Sequence, residues 1–254
     1  MNLTYKLPGR LLSVFLTGLV LALPWGQANA QHDIRGITGP TFNLDAFPFN
    51  ITLPEGSSLQ MWGYGDQDAG AGATHTEGEG YNLPQYPGPT LVVTEDVPVT
   101  INLTNSGVPS PVSIVVTGHN VTATRTDGNP SHGLLTEAAN VGESVSYTFT
   151  PTEPGTYIYH SLDGSNPGLH VEMGLLGVLI VRPADGSRTA YGVDTGTDYE
   201  QEFLSLLTEV DPEIHLQMER GHVQHFTNSD RFAKVWFVNG RVFPDLFQGD
   251  YNAL

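Results

Sequence analysis

Apolar and polar residues alternate with a two-residue period through much of the chain, the rhythm of strands that bury one face. On this basis Thr90–Thr94 (TLVVT), Val97–Leu103 (VPVTINL), Pro111–Thr117 (PVSIVVT), Ser144–Thr150 (SVSYTFT), Gly155–His160 (GTYIYH) and Gly174–Arg182 (GLLGVLIVR) are predicted strands. Gly39–Leu53, rich in Phe, Thr and Ile, and Gln60–Tyr64 are further strand candidates. Asn105-Ser106-Gly107, Asp127-Gly128-Asn129-Pro130 and Glu153-Pro154-Gly155 supply the turns between them. Short strands with regular turns predict an all-β Greek-key sandwich over residues 31–182. Gly65–Gly80 has no apolar period and reads as an exposed loop in which His75 is solvated.

After Arg182 the texture changes. Residues 183–198 form a polar linker, Tyr199–Thr208 reads as strand or helix, and Phe232–Val238 reads as strand. The residues 199–254 are too few for a second sandwich of about 100 residues, so they are expected to open a second domain without completing it. At the other end, Lys6 and Arg10 precede thirteen residues from Leu11 to Leu23, followed by Ala28-Asn29-Ala30. A basic start, a short apolar run and an A-x-A end predict a signal peptide, residues 1–30, cleaved after Ala30, and export to the periplasm or medium. A permanent membrane helix needs about 20 apolar residues, so no membrane anchor is expected.

Composition narrows the chemistry. The 254 residues carry 10 Lys+Arg against 27 Asp+Glu, a formal charge of -17, and loss of the leader takes this to about -19. Such a surface repels phosphate backbones and argues against nucleic acid as a partner. The 29 Gly and 18 Pro fit a turn-rich β chain. The absence of Cys excludes disulfides, thiolate catalysis, Cys-ligated zinc and thiolate-held blue copper within this chain. Phosphate-cradling Gly loops, G-x-S-x-G and H-E-x-x-H are also missing. His160, Ser161 and Asp163 are no triad, because adjacent strand residues point to opposite faces.

Tyr86–Thr90 (YPGPT), Gly155–Ser161 (GTYIYHS) and Met173–Val181 (MGLLGVLIV), in this order, resemble the amino-terminal cupredoxin (plastocyanin-like) domain of multicopper oxidases. His132–Ala139 (HGLLTEAA) and Val171–Leu175 (VEMGL) resemble an exported bacterial branch of that family. The likeness runs from Thr41 to Arg182, and Trp236–Pro244 (WFVNGRVFP) resembles the opening of the family's second cupredoxin domain. It implies copper as cofactor and an oxidoreductase that passes electrons from a small substrate or metal ion to dioxygen. In such proteins one copper is held by two His and a Cys, and a copper cluster by His-x-His pairs. The amino-terminal domain supplies an H-W-H-G strand and a Y-H-S-H strand end. Here Val115 and Thr117 stand at the first pair, and Leu162 stands where His160 should have its partner.

The resemblance leaves His160, with His170, Met173 and His132, as the candidate metal residues. Ser161, His170 and Met173 resemble the ligand loop of a single-site cupredoxin with its thiolate replaced; a neutral hydroxyl is a poor substitute. The plain alternatives are a His160 bonded to a nearby carbonyl or carboxylate, a rim His170 and a core Met173. His119 and His132 count as ligands only if the fold brings them beside His160 or His170. His215, Met218, His222 and His225 share one face if Pro212–Phe226 is helical; Gly221 weakens that helix, and a solvated face is the better reading. Three functions remain open. One is a partial oxidase, unable to reduce dioxygen alone, whose copper sites are completed by a partner domain or by homo-oligomerisation. Another is a non-catalytic copper-binding or scaffold module. A metal-free sandwich that binds sugars or an exported protein through the Gly-rich loop is a third.

Overall fold

A computed structural model describes residues 33–67, 83–126, 136–162, 168–222 and 231–244. The predicted leader, most of the Gly-rich loop with His75, and both His132 and His225 lie outside the described residues.

The strands follow the alternating pattern closely. In chain order they are β1 (Ile37–Thr38), β2 (Thr41–Thr52), β3 (Ser58–Asp66), β4 (Leu91–Thr94), β5 (Val99–Asn105), β6 (Val115–Val116), β7 (Thr122–Arg125), β8 (Ser144–Phe149) and β9 (Gly155–His160). A short helix α1 (Leu169–Met173) precedes β10 (Leu176–Arg182), and the tail adds β11 (Leu207–Val210), α2 (Pro212–Glu219) and β12 (Val235–Val238). Two five-stranded sheets form the sandwich, ordered β1-β4-β10-β9-β6 and β3-β2-β5-β8-β7. Neighbours distant in sequence, such as β4 beside β10 and β2 beside β5, are the crossovers expected of a Greek key. β5 shows why the pattern dictates the strand: Val99, Ile101 and Leu103 are buried while Thr100, Asn102 and Thr104 are half-buried. Between the sheets, Phe42, Leu44, Trp62, Leu91, Ile101, Leu103, Tyr147, Tyr159 and Leu179 form the main core.

β10 departs from alternation, because Leu176 to Val181 are all buried. Its inward residues Leu179 and Val181 join the main core. Its outward residues Leu176, Val178 and Ile180 lie under Ile34, Leu204 and Leu206. Residues of the tail therefore cover the outer face of a central strand. They do the same on β2 and β3, where Val210 and Phe237 pack with Leu53, Leu59 and Met61. Burying side chains of this size stabilises by about 1.5–3 kcal/mol each, enough to fasten the tail. The described tail is thus docked on the sandwich within one compact unit.

Two local expectations need correction. Pro111–Thr117 is mostly not strand: only Val115–Val116 pairs in the ladder, with a separate bridge from Val112 to Ala139. Residues 199–206 form neither strand nor helix, and the strand begins at Leu207. α2 ends at Glu219, before His222, because Gly221 takes a left-handed φ of 77°. The Asn239-Gly240 turn behaves as its sequence suggests. Both residues have positive φ, 51° and 72°, and Val238 and Arg241 exchange backbone hydrogen bonds across it.

Candidate metal loop and its surroundings

β9 ends at His160, and the chain returns through α1 to β10. Gly174 makes that return possible: its φ is 116°, and a Cβ there would sit 2.6 Å from the Trp62 carbonyl oxygen. The turn places His170 inside the protein, fully buried, with its ring edge-on to Trp62 at a centroid distance of 5.6 Å. The expected rim position of His170 is therefore wrong. α1 was not legible as a helix, and it is this turn that carries the imidazole inward. Met173 is fully buried in the main core, as the plain reading holds.

Ser161 and His170 do meet. Ser161 Oγ lies 2.7 Å from His170 Nδ1, and His170 Nε2 lies 3.0 Å from Ser110 Oγ. Ser161 Oγ also accepts the Ser113 backbone N–H at 2.9 Å, and Ser113 Oγ is bonded to both the N–H and the carbonyl of Leu162. The fold thus brings Ser161 and His170 together as one buried hydrogen-bonded pair. It does not fit copper. Two ligand atoms each about 2.0–2.1 Å from one ion, at tetrahedral angles, lie about 3.4 Å apart. Ser161 and His170 are in direct hydrogen-bond contact, with no room for an ion between them. Their donor set, neutral hydroxyls around one imidazole, is too hard and too weakly basic for such a metal.

His160 is half-buried on the neighbouring face, and its Nδ1–H donates to the Ser161 carbonyl at 3.0 Å. It pairs directly across the sheet with Val115. Thr117, the other position that the resemblance aligns with a ligand, is exposed and spends its hydroxyl on the Ile158 carbonyl. His119 packs edge-on against Tyr157 and Phe149, at 4.4 and 5.2 Å, and its Nδ1–H donates to Thr117 O. Among the described residues, no three His, Asp or Glu side chains gather into a metal-holding cluster.

The His/Met stripe of the tail is not a solvated face. His215 is fully buried and Met218 nearly so, while His222 lies exposed beyond the helix end. His215 belongs to a buried ionic cluster that sequence reasoning missed. Glu172, on α1, is 3% exposed; its Oε1 accepts the Asp211 N–H at 2.6 Å and its Oε2 accepts Arg231 Nε at 2.5 Å. Arg231 also holds Glu209 through Oε1 and the backbone carbonyl. Burial works against the Arg231 charge, but the Glu209 and Glu172 carboxylates hold its guanidinium above the ordinary value. Asp211 caps α2 by accepting Glu213 N–H, and its second oxygen accepts Phe232 N–H. Two signals were available: a lone Glu inside the apolar run VEMGLLGVLIV, and the Asp-Pro-Glu start of α2.

Residues 67–186 match the family model described as multicopper oxidase. The chain is 31% identical over 111 residues to an L-ascorbate oxidase of Cucurbita pepo var. melopepo, covering 43% of this chain and 19% of that protein. It is 32% identical over 112 residues to a copper-containing nitrite reductase of Alcaligenes xylosoxydans xylosoxydans, covering 44% of this chain and 32% of that one. It spans a third or less of either relative. Among solved structures, the blue copper oxidase of Nitrosomonas europaea superposes with a TM-score of 0.57 at 20% identity, over 81% of this chain and 54% of that one. That likeness bears on the fold, and it agrees with the two-sheet topology. Over residues 67–186 this chain is similar to the multicopper oxidase family, and its two sheets form a cupredoxin sandwich.

Proposed function

We propose that this chain is an exported cupredoxin module of the multicopper oxidase family that does not reduce dioxygen by itself. The 2.7 Å contact between Ser161 Oγ and His170 Nδ1 supports this reading most directly, because it fills the ligand loop with a hydrogen bond. The module acts as a non-catalytic scaffold. Titration of the purified chain with copper, followed by electron paramagnetic resonance, tests it. The expected result is no tightly bound copper, and no oxygen uptake above background with a phenol or cuprous ion. Sustained oxygen consumption by the chain alone would overturn the reading.

A second reading is supported by the outer face of the β11–β12 pair. Leu207 and Trp236 lie on it, 72% and 64% exposed, with Phe203, Phe232 and Phe243 also exposed in the same tail. Apolar surface of this kind favours a protein partner. In this reading a partner domain or a second copy covers the tail and contributes the missing ligands, and the assembly oxidises a small substrate or metal ion at copper with dioxygen as acceptor. Sedimentation at rising concentration, with Trp236→Lys as control, tests self-association.

A further inference from the structure

We propose that His215 and Glu172 form a proton-operated clasp that tightens the docking of the tail on the sandwich as the medium becomes more acidic. His215 sits on α2 with no solvent exposure, and its Nδ1 lies 2.6 Å from the Gln60 carbonyl of β3. A carbonyl only accepts, so in the neutral ring the single proton belongs to Nδ1. Nε2 is then a bare lone pair. It makes no hydrogen bond, although it is buried, and it lies 3.5 Å from Glu172 Oε1. In the neutral state two acceptors face each other in a water-poor site, which is unfavourable. One added proton turns Nε2 into a charged donor aimed at a carboxylate, the stronger class of hydrogen bond.

The surroundings favour that proton. Glu172 faces the ring from α1, and β3 contributes only the neutral Gln60 carbonyl. Arg231 is bound to the far oxygen of Glu172 and shared with Glu209 of β11, and Asp211 stands at the start of α2. Counting these charges, three carboxylates stand against one guanidinium, so the cluster lacks positive charge without His215. The clasp also joins the right parts. Glu172 belongs to the sandwich, and the groups that converge on it, His215, the Asp211 N–H and Arg231, all belong to the tail. Because the docked tail gains a contact by taking up a proton, docking strengthens as the medium is acidified.

Two-bond proton–nitrogen correlation spectra of the uniformly labelled full chain read the ring directly. The expected result is a His215 ring protonated on Nδ1 alone at about pH 8 and on both nitrogens at about pH 5.5. Over the same interval, amides of β11 and β12 gain about tenfold in exchange protection after correction for intrinsic rates. Glu172→Gln removes this pH dependence, since without the carboxylate charge a proton on Nε2 gains no ion pair. A ring protonated on Nε2 alone, a ring that stays neutral across this range, or tail protection that ignores pH would each overturn the clasp. The wild-type spectra decide the matter even if a variant fails to fold.

Discussion

Val115 lies directly opposite His160 in the β6–β9 ladder, both half-buried and so on one face of the sheet. Directly opposed residues hold their Cβ atoms about 4.5–5.5 Å apart, a span that two imidazoles bridge around one ion. The fold therefore places Val115, a position that the resemblance aligns with a ligand, directly beside His160. Val115→His is expected to raise affinity for cupric ion at least about tenfold over the wild type, a gain lost again in the Val115→His, His160→Ala double variant. Isothermal titration checks it. No gain would mean that the two positions do not converge.

Ser161 has become a structural residue. It accepts the Ser113 N–H and shares a hydrogen bond with His170, both in the buried interior. Ser161→Ala leaves both partners unsatisfied and is expected to destabilise the fold by about 1–3 kcal/mol. Urea denaturation measures it, and a change within error would show that neither bond matters.

Loss of the Glu172 carboxylate should be felt in the tail. It strands Arg231, the Asp211 N–H and His215 together. Removing one partner of a buried ion pair costs about 3–5 kcal/mol, so Glu172→Ala is expected to release the tail first. Limited proteolysis should then cut between residues 199 and 244 well before the sandwich is degraded.

The acid limb of stability should depend on Glu202. Burial pushes this carboxyl up, but hydrogen bonds from Arg182 and the Ile34 N–H, with the Arg182 charge, bring it below its ordinary value. A depressed carboxyl stabilises the fold above the unfolded value of about 4.3, and that contribution fades as pH falls through the folded value beneath it. Glu202→Gln should therefore lower the urea midpoint at neutral pH, with the gap to wild type narrowing as the medium is acidified below about pH 4.

The alkaline limb belongs to the buried phenols. Burial pushes Tyr86 up to about 12 and holds Tyr64, Tyr147 and Tyr159 higher than ordinary phenols. Tyr64, Tyr147 and Tyr159 each donate a hydroxyl proton to a backbone carbonyl. A raised phenol favours the fold below the unfolded value of about 10, and that stability is lost as pH rises through the folded value. Absorbance at 295 nm should show these tyrosines ionising together with loss of circular dichroism, and not before it.

What the sequence determined by itself was the scaffold. Two-residue alternation marks β5, β8 and β9, the Asn-Gly pair marks the β12 turn, and both are local signals readable without tertiary knowledge. It also settled the absence of a thiolate, and it aligned Ser161 with His170 across the loop. Tertiary structure decided what these residues became. Whether His170 lies at a rim or in the core depends on one turn of helix closed by Gly174 against Trp62, a contact between residues more than a hundred positions apart. The same holds for His215: a histidine face with a weak helical pattern looks solvated until Gln60 and Glu172 are brought to it from two other elements. Periodicity reports which face of an element is buried, but the partner that waits there is a property of the fold.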